Sequence, residues 1–229
     1  MRLTAPLRVR LFLVLVSLAA AGSRQAAAAT PPHLSFEDEA IVATGVSSGA
    51  KVVWFGVGHA HEEAALHIIS RHAMLVDDDG NGEVRFEIQT AVPVHSVWVA
   101  VDMETGEYSV AAPEGHELRQ LELSAHALHP GAGGGADLFD DAHRMMQVVV
   151  ARPRSGAAWG ADVADGGGND DDGQGGNGHF RLSLEALMPF DGSPELQPPV
   201  LRAGDVFVAI ALDSLEMYAA RLPVGGRQQ

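Results

Sequence analysis

Apolar runs of strand length, each closed by a turn-forming cluster, recur along most of the chain. The densest example is Met74 to Tyr108, MLVDDDGNGEVRFEIQTAVPVHSVWVAVDMETGEY. VRFEI alternates apolar and polar residues, the pattern of a strand with one buried face. SVWVAVD is apolar at almost every position, as a central strand covered on both faces must be. Asp, Asn and Gly in DDDGNG and Gly in METG tolerate the positive φ that tight turns require. These features predict two successive hairpins, with VRFEI returning beside the strand that ends at Val76. A looser copy follows where DDDGQGGNGHFRLSLEAL leads through a Pro-rich connection to GDVFVAIALDSLEMYAARL.

The remaining segments extend the pattern. LSF (34–36), AIVAT (40–44) and KVVWFGV (51–57) read as strands, with GVSSGA (45–50) as a connection. GHAHEE suggests a loop or helical turn over 59–64, followed by a strand from Leu66 to Val76; a continuous helix from His61 to Met74 is the alternative. ELRQLEL (117–123) alternates weakly. His126 to Asp141 is Gly/Ala/Asp-rich and reads as a loop, with a helical turn possible at ADLFDDAHRM. MQVVVAR (146–152) is a further strand. Ala161 to Gly178 is acidic and Gly-rich, a loop by composition. About ten short strands separated by Gly, Pro and Asp turns predict an all-β, mostly antiparallel β-sandwich. Val53, Val97, Val99, Val101, Val149, Val206, Val208 and Ile210 are its expected core. VWVAV at 97–101 matches VFVAI at 206–210, and Tyr108 matches Tyr218 after one inserted residue. Residues 34–113 and 117–223 are therefore candidate repeat halves.

The first 29 residues carry a different signal. Arg2, Arg8 and Arg10 precede the apolar run Leu11 to Gly22, and an Ala run ends at Ala29. This is the order of a cleavable signal peptide, with an uncleaved anchor as the alternative. Residues 30–229 would form the mature sandwich, secreted or periplasmic, without membrane insertion once the leader is removed. Loss of Arg2, Arg8, Arg10 and Arg24 leaves 11 Lys+Arg against 30 Asp+Glu, a net charge of −19. Such a surface disfavours nucleic acid and anionic lipid as partners. With no cysteine in the chain, neither disulfides nor thiol-linked lipid can stabilise or anchor it.

An apolar strand, DDDGNGEV, an alternating strand and then VWVAVD together resemble the Ig-like or fibronectin-III-like sandwich modules of bacterial exported proteins. The resemblance covers roughly 34–112 and extends less clearly to 145–222. It implies a non-catalytic structural or binding role with a protein or glycan partner, and carries no fixed functional residues. The Cys-Trp-Cys hallmark of immunoglobulin domains is absent.

Candidate chemistry is sparse. Asp77, Asp79 and Asn81 match the start of an EF-hand calcium loop, but its twelfth position, where a bidentate Glu belongs, is Ile88. The turn reading is preferred. His59 and His61 flank one residue and would share a face of an extended segment, a zinc or copper pair that His67, His72, His126 or His129 could complete. HExxH fails, because Ala65 stands where its second His belongs. GVSSG fits G-x-S-x-G around Ser47, yet it leads into a strand rather than the helix a nucleophile elbow needs. Trp54, Trp98 and Trp159 read as core aromatics or, less simply, a carbohydrate platform. No cofactor is expected, with calcium or zinc the exceptions to test. The competing functions are thus a binding or structural sandwich, a histidine-rich metal protein or hydrolase, and a calcium-stabilised adhesion module.

Overall fold

A computed structural model describes residues 29–62, 65–88, 91–119, 135–139, 145–164 and 179–223. In chain order its strands are β1 (His33–Phe36), β2 (Ala40–Thr44), β3 (Lys51–Glu62), β4 (Ala65–Val76), β5 (Glu83–Glu87), β6 (His95–Asp102) and β7 (Tyr108–Ala111). There follow β8 (Gly135–Phe139), β9 (Met145–Arg152), β10 (Ala157–Ala164), β11 (His179–Ser183), β12 (Met188–Pro189), β13 (Val206–Ala211) and β14 (Met217–Arg221). The fold is an all-β sandwich, and every strand pairing among the described residues is antiparallel.

Among the described residues four sheets form: sheet I in the order β1-β2-β5, sheet II β4-β3-β6-β7, sheet III β12-β10-β9-β13-β14, and sheet IV β11-β8. The two-residue period of a strand explains how they stack. On β3 and β6, Val53, Phe55, Val57, Val97, Val99 and Val101 face one way, into a cluster with Val149, Ala158, Val206, Val208 and Ile210 of sheet III. Val52, Trp54, Trp98 and Ala100 face the other way, against Ile41, Ala43, Val84 and Phe86 of sheet I. Sheet III likewise turns Val148, Val150, Trp159 and Phe207 away from sheet II, where Leu182 of sheet IV and the following Leu184, Leu187 and Leu201 cover them. The near-continuous apolar runs of β6 and β13 thus have two buried faces to fill. All eight expected core residues lie in the cluster between sheets II and III, where each fully buried valine contributes about 1.5–3 kcal/mol.

Several expectations are corrected. VRFEI (β5) does not pair with β4. It pairs with β2 in sheet I, so the DDDGNG turn carries the chain from one sheet to another. METG does make a hairpin, joining β6 to β7 with Gly106 at φ 75°. Residues 59–62 continue β3 rather than forming a loop or helical turn, whereas the strand expected from Leu66 to Val76 is present as β4 and the alternative helix from His61 to Met74 is not. Pairing with a full-length partner strand overrides the local helical composition. ADLF is part of strand β8, and Ala161–Ala164 of the expected acidic loop belong to β10 instead; residues 165–178 lie outside the described residues. So does most of ELRQLEL, of which 117–119 are not strand.

With β1 and β12 set aside, strands 2-5 with 4-3-6-7 follow the same order as strands 8-11 with 10-9-13-14. Register refines the matched tyrosines: Val101 pairs with Tyr108 but Ile210 pairs with Met217. Tyr108 therefore occupies the place of Met217, not of Tyr218. Its hydroxyl donates to the Ala219 carbonyl at 3.1 Å, across the junction between sheets II and III.

Candidate functional site

The acidic turn between β4 and β5 is built around Asp77, which is 2% exposed. Its Oδ2 accepts the Gly49 and Gly82 N–H groups at 3.1 and 3.0 Å, tying the turn to the β2–β3 connection. Burial pushes this carboxyl up, but its hydrogen bonds, led by those from the Gly49 and Gly82 N–H groups, together hold it below the ordinary carboxylate range. Oδ1 is buried without a partner. Asp79 accepts from the Asn81 backbone N–H and side-chain amide at 3.2 and 2.9 Å, and Asn81 Oδ1 accepts from Glu83 N–H at 2.6 Å. Gly80 and Gly82 sit at φ 69° and 80°. The oxygens proposed for calcium thus organise the turn's own backbone.

His59 lies on the face of β3 that meets sheet III, at the end where the apolar cluster stops. Its Nε2 is 2.6 Å from the Leu212 carbonyl, just past β13, so that nitrogen donates. Across the sheet its register partner is His95, whose ring meets His116 edge-on at 5.8 Å. The His116 imidazole is held below its ordinary range by burial, then by His95, His59 and Arg119. Its Nε2 is buried and unpartnered. By register His61 follows on the same face, but its side chain lies outside the described residues. Among the described residues no three His, Cys, Asp or Glu side chains gather as a metal ion would require. His72 stands apart, stacked on Phe190 at 4.3 Å. The sequence reading missed His95 and His116; only the β3–β6 register, which places His95 opposite His59, brings them into view.

The other candidates are structural parts. Ser47 donates both its N–H and its hydroxyl to Asp102 Oδ2 at 2.8 Å, while Asp102 Oδ1 accepts Glu104 and Thr105 N–H. Trp54, Trp98 and Trp159 are fully buried, which removes them as a carbohydrate platform. Arg152 donates to both oxygens of Asp205 at 3.1 Å, to Glu195 at 2.7 Å and to the Val200 carbonyl, with its guanidinium 4.9 Å above the Trp159 ring. At the surface, Glu37, Asp38, Glu39, Arg85 and Glu87 line an acidic cavity of about 540 Å³ beside sheet I. Arg85 there binds Glu37 and Glu87 at 2.5 Å.

Among the described residues no helix is long and apolar enough to cross a membrane. No family model, curated protein or solved structure matches this chain.

Proposed function

We propose that the chain is an exported, non-catalytic β-sandwich protein with a structural or binding role, of Ig-like or fibronectin-III-like type. The strand order carries this reading. Lettering β1 to β7 as A, B, C, C′, E, F and G gives sheet I the order A-B-E and sheet II the order C′-C-F-G, an Ig-type arrangement in which C′ joins the G-F-C sheet. The use of polar side chains supports it further. Ser47, Asp77, Asp102, Arg152 and Asp205 each tie a turn or loop to the framework, an architectural use of polar side chains. The N-terminal order of arginines, apolar run and Ala run supports the export reading, and an exported chain would meet extracellular proteins or glycans.

The test has two arms. Fractionation and N-terminal sequencing should find the protein outside the cytoplasm and beginning near Thr30. The immobilised mature protein should retain a protein or glycan from a defined extracellular panel without altering it. A cytoplasmic product retaining Met1, or turnover of a panel substrate that Ser47→Ala or His59→Ala abolishes, contradicts the proposal.

A further inference from the structure

Building on that binding reading, we infer that the free edge of β4 is a strand-addition site for an extended peptide that presents a carboxylate to Arg71. β4 runs over 12 residues at the edge of sheet II and, among the described residues, pairs only with β3. The other sheet-edge strands, β1, β5, β7, β8, β11, β12 and β14, are two to five residues long. Natural sheets protect their edges with short strands, prolines and lysines. ALHIISRHAMLV has neither proline nor lysine, and Ile68 and Val76 are 45% and 44% exposed.

Hydrogen-bond parity shows which main-chain groups face away from β3. The Asp77 N–H donates to the Ala50 carbonyl at 3.0 Å, extending the register that pairs Lys51 with Val76. Antiparallel pairs alternate between bonded and non-bonded, so Ile68, Ser70, His72, Met74 and Val76 turn their N–H and C=O away from β3. The Ser70 carbonyl fits this, since the exposed Arg71 guanidinium reaches it at 3.0 Å. An incoming strand would find a row of donors and acceptors at the spacing used in strand addition.

Charge selects the occupant. Arg85, Arg152 and Arg221 each pair with carboxylates, whereas among the described residues Arg71 bonds only to its neighbour's carbonyl. No acid lies on β4 itself. A second copy laid symmetrically on the middle of this edge sets the two Arg71 side chains opposite or diagonal, where like charges oppose pairing. An extended peptide with one acid between apolar residues meets the edge without that repulsion.

The test uses the mature chain and the synthetic peptide Thr-Val-Thr-Glu-Thr-Val-Thr, read by amide exchange and titration. The peptide should protect the amides of Ile68, Ser70, His72 and Met74. Exchanging its Glu for Lys should weaken binding by about tenfold, from gaining an exposed ion pair to opposing one. Arg71→Glu should reverse that preference, and Ser70→Pro, which removes one outward N–H, should abolish binding. Absence of protection by either peptide, equal affinity for both, or an edge already protected in a dimer seen by sedimentation would each overturn the assignment. A panel ligand retained by both variants would overturn the edge while leaving the broader binding reading intact.

Discussion

Gly56→Ala should destabilise the protein by about 2 kcal/mol. Gly56 lies mid-β3, where a Cβ would fall 2.3 and 2.5 Å from Trp98 indole carbons and 2.7 Å from the Val97 carbonyl oxygen. None of these can retreat cheaply. The carbonyl belongs to β6, paired to β3 along its length. The indole is fully buried, tilted against Phe86 at 6.0 Å, and donates to Ser96 Oγ at 2.8 Å, which in turn donates to the Pro93 carbonyl. Overpacking of this kind costs about 1–3 kcal/mol, and the lower chain entropy of Ala returns at most about 1 kcal/mol. With a urea m-value near 2 kcal/mol/M, the midpoint should fall by about 1 M. In a Trp98→Leu background the clash is relieved, so the same substitution should cost clearly less, a coupling a double-mutant cycle detects. An unchanged midpoint, or strict additivity, would refute the packing of β3 against Trp98.

Asp205→Ala should cost about 3 kcal/mol in urea unfolding, because it strips one carboxylate from Arg152, whose side chain is 7% exposed, and leaves a buried charge only partly matched by Glu195; a loss below about 1 kcal/mol would show the pair to be dispensable. Asp77 gives a pH prediction. Its folded pKa lies below the unfolded value, so its contribution is present above the unfolded pKa and lost as pH falls through the folded one. Between pH 5 and 3 the wild type should therefore lose more stability than Asp77→Asn, and parallel losses would mean that Gly49 and Gly82 do not hold the carboxylate.

What the sequence discloses and what it hides follow from the range of the forces involved. β2 was legible to the residue, and β6 and β13 nearly so, because their apolar runs report local burial directly. β10 was hidden: AAWGADVA is mostly small residues, and its strand state comes from pairing with β9 and from the cover over Trp159 and Val163. The turn at Asp77 was legible as a turn but not as a crossing, since nothing local distinguishes a partner in the same sheet from one in the facing sheet. His59 was singled out for its spacing to His61, while its neighbours His95 and His116 are 36 and more residues away and meet it only through the β3–β6 register. β4 was legible as a strand from Leu66 to Val76, but not its place at a sheet edge, which depends on which strands pair beside it.

The central structural claim is that sheets II and III share one core, so both halves stand or fall together. Native-state hydrogen exchange under rising urea measures this most directly. Amides of Val53, Val99, Val149 and Val208, all in that cluster, should converge on one global unfolding free energy with a common dependence on urea. If β9 and β13 instead exchange through a separate opening while β3 and β6 remain protected, the halves are independent sandwiches and the shared core is wrong.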